Sequence, residues 1–391
     1  MQVRLRELNF FPAVLMLIFA LQSTLNFNAI ERQDLSYILL ALTLVATLFS
    51  IYLIVRSRKL SKMDMYIIFF LMIVAFSSLV HGTDIKSWVY MSLSVILLRA
   101  TFFYYQDHLL PLIIGLTIGF NIGVYVQLYQ LVTQPSMWMI EETKDVVGYI
   151  LGGNYNTIGV ELLIALVFNF LCLQISKFFY VLVIPTAIVC IAMPIMVGSM
   201  TSATSIILFI LVCLIPVMRI RRIVMGSITL STILFQILVC FNGKGIENNK
   251  FMVWFIEDVL GKDITFTNRT QLWDAALRVI VDSPIWGYGF PDKIWYLSKM
   301  SSHAIGPHNI LLGMLIYGGI IAALLYLYFL IYSCIQTFRV QNFWADCILA
   351  GITMLCLMML MEVYPVALIF VFITIAEYYP RLKKQLVTSN E

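Results

Sequence analysis

Apolar runs about as long as a bilayer is thick follow one another along almost the whole chain, and one long polar island, residues 242 to 305, interrupts them. Few folds can accommodate this. In lipid every backbone amide and carbonyl must be satisfied within the protein, so each run becomes a helix. With 61% hydrophobic and only 12% charged residues, the chain has too little polar surface to coat a water-soluble globule. The expected fold is an all-α polytopic membrane protein forming a single integral domain over residues 1–391. Helices are expected near 9–28, 35–55, 64–81, 87–106, 110–132, 154–175, 178–197, 202–218, 223–241, 307–334, 345–361 and 365–379, making about twelve transmembrane helices. The region 242–306 becomes a structured extracytoplasmic loop between helices 9 and 10.

Charge sets the orientation. The clusters Arg4/Arg6, Arg56/Arg58/Lys59/Lys62, Arg219/Arg221/Arg222 and Arg381/Lys383/Lys384 fall on one side under this count, which the positive-inside rule makes the cytoplasm. Both termini are then cytoplasmic and the loop lies outside. Arg4 and Arg6 lead into the first run without a small-residue cleavage site, so that helix is expected to stay as an anchor. The net charge of +4 points to no nucleic acid. All seven cysteines (Cys172, Cys190, Cys213, Cys240, Cys334, Cys347, Cys356) sit in apolar stretches without paired spacing, which suits packing rather than disulfides or a metal.

Inside the island, Phe251 to Leu260 suits a helix lying among headgroups. Asn268 suits the cap of a further helix, with Leu272, Ala276, Val279 and Ile280 at helical spacing and a stop before Pro284. The island is thus expected to be a small folded cap.

Arg269 would occupy the first position of that helix, where free amides and the dipole already favour an anion. A guanidinium there makes a phosphate or diphosphate site, since its fork binds oxygens bidentately. The other reading is an arginine that snorkels to headgroups or pairs with Asp274. His308, after Pro307 at the start of a helix, is placed to accept a proton from a sugar hydroxyl, or else to bond interfacial backbone and headgroups. His303 is an alternative for the same role.

Asn154 and Asn156 precede the sixth helix, where their amides suit either a hydroxyl-rich ligand or helix capping. Glu161 lies about two turns further in, where an unpaired acid marks a cavity. Arg99 in the fourth helix carries the same presumption or simply pairs, and Glu362 at the last hairpin faces the same cavity or water. Trp286, Tyr288 and Phe290 lie on a glycine-bearing turn, either as stacking faces for sugars or as part of the aromatic belt.

Three stretches together resemble the O-antigen ligase and polysaccharide polymerase family of bacterial inner-membrane proteins. They are Arg269-Thr270-Gln271-Leu272-Trp273-Asp274-Ala275-Ala276 running on to Ser283-Pro284-Ile285-Trp286-Gly287-Tyr288-Gly289, then His308-Asn309 with its apolar run to Gly318-Gly319, and the pair Asn154 and Asn156. The resemblance implies a metal-independent glycosyltransferase without cofactor, acting at the outer leaflet on undecaprenyl-diphosphate-linked oligosaccharide. Arg269 would hold the diphosphate and His308 would activate the acceptor hydroxyl. Asn154, Asn156, Glu161, Trp273, Arg278, Tyr288 and Asn309 would line the substrate site. A chain-length regulator protein is a further implied partner, alongside membrane lipid. The family commonly has a second arginine after a serine at the turn between helices 7 and 8, where this chain has Met200. That leaves the second diphosphate ligand unassigned, with Arg278 and Lys299 as candidates.

On this basis the expected activity is polymerisation, moving a growing glycan onto a sugar hydroxyl of an incoming lipid-linked repeat unit. The alternative within the family is a ligase delivering finished glycan to a terminal acceptor. A flippase or other secondary transporter would instead use Glu161 and Arg99 as intramembrane switches, but no inverted repeat is evident.

Overall fold

A computed structural model describes residues 10–25, 33–57, 60–133, 149–150, 153–154, 157–259, 269–301 and 306–388. Helices stand within a few residues of where the apolar runs place them: α1 (Phe11–Thr24), α2 (Gln33–Ser57), α3 (Lys62–His81), α4 (Ile85–Tyr104), α5 (Leu109–Thr133), α6 (Ile158–Cys172), α7 (Tyr180–Met196), α8 (Met200–Leu214) and α9 (Met218–Phe235), which a π-helical turn continues to Cys240. The island contributes α10 (Lys250–Val253), α11 (Arg269–Asp282) and α12 (Lys293–Lys299). The bundle then closes with α13 (Ile310–Arg339), α14 (Phe343–Met358) and α15 (Val366–Thr388). Among the described residues seven helices are long and apolar enough to cross a membrane, namely α2, α3, α4, α5, α7 with its leading turn, α9 with its π turn, and α13; α1, α6, α8 and α14 are shorter apolar helices.

Two of the short helices, α6 and α14, occupy the centre. Nearly every residue of α6 and α14 is buried, and a helix that is apolar all round is one enclosed by other helices. Around them α1 packs on α5 through the stripe Gly115, Gly119 and Gly123, whose missing side chains admit Ala13, Ala20 and Thr24 at close range.

Buried charges at the end opposite the island are clamped. Asp346 of α14 is fully buried and accepts from Arg221 Nε and Nη2 at 2.9 and 2.6 Å and from Arg222 Nε at 2.8 Å. Arg99 lies 2.7 Å from both Asp64 and Glu377, tying α4 to α3 and α15. Its charge is therefore held in a helix contact, which favours the pairing alternative of the sequence reading.

One helix expected to be continuous is broken. In α13 the residues Gly318 (φ −143°, ψ 26°) and Gly319 (φ 62°, ψ −157°) leave the helical region, separating a short amino-terminal half-helix from a long span. The freed backbone groups are taken up by the turn after α11: Tyr288 N–H donates to Ile316 C=O at 2.6 Å, Gly289 N–H to Tyr317 C=O at 2.9 Å, and Ile320 N–H to Pro284 C=O at 2.8 Å. Such close backbone approach leaves no room for a Cβ at Gly287 or Gly319, which would strike Ile316 C=O and Ile285 C=O respectively.

Candidate active site

Helix starts converge at the end of the bundle from which the island emerges. The site begins with α14 and α13. Ile310 N–H donates to Met359 C=O at 3.0 Å, so the start of α13 is fastened to the end of α14. Asn309 caps α13, its Oδ1 accepting from Leu312 N–H at 3.1 Å and from Gln236 Nε2 at 3.4 Å. Its Nδ2 donates to Gln236 Oε1 at 2.8 Å and to Leu360 C=O at 3.1 Å. Gln236 opens the π-helical turn of α9, which thereby joins the same junction.

This fastening brings His308 against Glu362. His308 adopts φ 44°, the sole positive φ of a non-glycine among the described residues. Histidine is one of the few side chains enriched in that region, which costs free energy and recurs at functional sites. Its Nδ1 lies 3.0 Å from Glu362 Oε1 and 3.1 Å from Oε2. Glu362 Oε1 also accepts from Val363 N–H at 3.2 Å. If Nδ1–H donates to the carboxylate, Nε2 is left with its lone pair outward, the tautomer a proton acceptor needs.

Arg269, the first residue of α11, completes the group. Its Nη2 stands 3.8 Å from Glu362 Oε2, a loose pair, and its Nη1 is buried without a hydrogen-bond partner among the described residues. A buried guanidinium N–H with no acceptor is costly, so the position suits an incoming anion. Tyr364 lies on the far side. Burial and the charge of Glu362 push its phenol above the usual range, against the opposing effects of a hydrogen bond with Ser202 and the charge of Arg269. Ser202 is reached from Ser199 Oγ at 2.9 Å and lies against Gly159 of α6. The amino ends of α6, α8, α11 and α13 thus gather around Arg269, Glu362 and Tyr364, and their dipoles add to an anion-favouring potential.

Other residues expected in the site are placed elsewhere. Trp273 is fully enclosed and packs against Phe235, so a ligand cannot stack on it. Asn309 uses both donors and both acceptor positions on the protein itself, which makes it a positioning residue rather than a substrate contact. Arg278 pairs with Asp274 and is largely exposed; nine residues beyond Arg269, it faces the opposite side of α11 about 13 Å along the axis. It cannot serve as a second ligand on the same diphosphate. Glu161 is buried in α6 but accepts from Gln127 Nε2, which also donates to Thr24 C=O, so it faces α5 and α1 rather than the Arg269 group. Its neighbour Gly159, 200° around the helix, is the one that faces α8.

Asn154 lies in a two-residue antiparallel hairpin, β1 (Tyr149–Ile150) with β2 (Gly153–Asn154), ahead of α6 rather than at its start, while Asn156, Asn268 and His303 fall outside the described residues. Tyr288 sits between His81 and Trp295, its ring tilted against both with centroids 5.0 and 5.1 Å away, at the far end of α11 from Arg269. Met200, at the position of the expected arginine, stands exposed on the first turn of α8. Glu362, which sequence reading left open between cavity and water, is the residue that joins His308 and Arg269. No local pattern marks it, because its partner His308 is 54 residues away.

Residues 185–327 match the model of a protein family described as O-antigen ligase, a stretch that contains Arg269 and His308. Among curated proteins there is no match.

Proposed function

We propose, from this resemblance to the O-antigen ligase family and from the geometry of the site, that the chain transfers glycan from a lipid diphosphate to a sugar hydroxyl. The carrying observation is the unpartnered, buried Nη1 of Arg269 beside a histidine oriented by a carboxylate. His308 Nε2 takes the proton of the acceptor hydroxyl as that oxygen forms its bond to the anomeric carbon. The bond from that carbon to the diphosphate oxygen breaks, and its electron pair leaves with the diphosphate. Arg269 meets the growing negative charge, with the surrounding helix amino ends favouring the same charge. The proton then passes from His308 to water. Glu362 holds the imidazole through Nδ1 and balances its charge while it is protonated.

The reading carried furthest is that of a polymerase: donor glycan on undecaprenyl diphosphate, acceptor a second lipid-linked repeat unit at the outer leaflet of a bacterial inner membrane. A ligase delivering finished glycan to a terminal acceptor is the second reading, favoured by the description of the matched family. Purified protein given synthetic lipid-diphosphate repeat units should produce a glycan ladder, which His308→Ala abolishes. A strain lacking the protein separates the two readings, since single repeat units on a competent acceptor mean a polymerase and unattached long chains mean a ligase. If wild-type protein transfers glycan to neither acceptor, the proposal fails.

A further inference from the structure

The turn that plugs the break in α13 is exposed where a water-facing loop would be polar. Ile285 and Trp286 are exposed, and they continue the exposed apolar surface of Met72, Phe76, Leu79 and Val80 on α3. Trp286 meets Phe76 edge to face, with centroids 5.7 Å apart. Phe76 lies five residues before the last residue of α3, so the turn reaches about 7 Å below the helix end. On α13 the break it plugs lies about 12 Å beyond Ile310.

The backbone of this segment is also unusually well satisfied for a surface turn. Beyond its bonds to α13, Phe290 N–H donates to Ser78 Oγ at 2.8 Å and Phe290 C=O accepts from Asp84 N–H at 2.9 Å. Ser77 Oγ donates to Trp286 C=O, Thr83 Oγ1 to Tyr288 C=O, and Ser283 Oγ to Gly287 C=O. Turns in water leave such groups to solvent. Irregular backbone at membrane depth must pair all of them with protein.

We propose that residues 283–290 form a re-entrant turn inserted among the acyl chains of the adjoining leaflet, with lipid as the partner of Ile285 and Trp286. The island is then partly a membrane element. The same turn wedges the half-helix that begins beside His308, so insertion fixes the site at the level of the lipid headgroups. The inference rests on α3 as a membrane span and stands apart from the transferase reading.

A nitroxide at Ile285→Cys, in protein reconstituted in lipid nanodiscs, tests it, with unlabelled-background signal taken from wild type. Met72→Cys on α3 serves as the lipid reference and Arg278→Cys as the water reference. The expected result is oxygen and nickel-chelate accessibility for Ile285→Cys matching Met72→Cys. A nickel-chelate accessibility equal to that of Arg278→Cys would overturn the proposal. A second measurement needs no cysteine: bromine-labelled acyl chains should quench wild-type tryptophan fluorescence more than that of Trp286→Phe. Equal fractional quenching of the two would also overturn it.

Discussion

Glu362 stands between His308 and Arg269, 3.0 Å from the imidazole Nδ1 and 3.8 Å from the guanidinium Nη2. In the proposed mechanism the short contact orients the base, and the long one leaves the arginine able to turn to another anion. A carboxylate that held the arginine tightly would compete with a diphosphate for it.

Glu362→Gln keeps the shape but removes the charge that sets the histidine tautomer. Turnover in the ladder assay should fall by about 10²- to 10⁴-fold, the range a positioned general base contributes. Glu362→Asp should recover part of it. Unchanged turnover in Glu362→Gln would remove the carboxylate from the mechanism.

His308→Asn separates the backbone from the chemistry. Asparagine tolerates the positive φ of 44°, so thermal unfolding in detergent should stay close to wild type. Activity should nevertheless be lost, because an amide accepts no proton at neutral pH. A variant that retains turnover would show that the imidazole is not the base.

Arg269→Lys keeps a charge and discards the planar fork. Loss of one positioned donor to a developing oxyanion costs about 10²- to 10³-fold in turnover. We expect Arg269→Lys to fall in that range and Arg269→Ala further below. Arg278→Ala, which removes only an exposed pair with Asp274, should leave turnover within about twofold. Equal losses in Arg278→Ala and Arg269→Lys would point to a general electrostatic effect.

Asn309→Ala deletes a helix cap and strands Gln236. The cap alone contributes about 1 kcal/mol, and the orphaned buried amide adds to the loss. A lower unfolding temperature together with reduced turnover is the expected outcome, and Asn309→Asp should keep the cap better than alanine does. Full stability in Asn309→Ala would mean that the junction of α9, α13 and α14 does not depend on this side chain.

Gly319→Ala puts a methyl against Ile285 C=O at a backbone angle that non-glycine residues resist. The plug must shift, so unfolding temperature and activity should drop together, although the residue is ten positions beyond Asn309 and touches no substrate. Wild-type values in both measurements would show that the break in α13 does not hold the site in place.

Hydropathy and helix signals made most of the fold readable, because burial in lipid imposes its pattern residue by residue. α11 ends ahead of Pro284 as proline chemistry dictates, and the apolar runs lie where the long helices stand. Arg269 and His308 stood out by their residue types and helix-start positions, and the structure brings both to Glu362. Periodicity did not mark the break in α13, because two adjacent glycines in an apolar run look the same in a continuous helix and in a broken one.

What the sequence alone determined was therefore local: which segments are helices, where they start, and which side chains could carry charge or a proton. Tertiary structure alone decided that Glu362, 54 residues beyond His308, is the partner that orients it. It also made Asn309 a cap that ties α13 to α9, assigned Trp273 to packing, turned Glu161 toward α5, and used the glycine turn as a plug for a broken helix. The physical reason is range. Helix propensity and lipid burial act on each segment separately, whereas a hydrogen bond between distant residues exists only after the helices have packed.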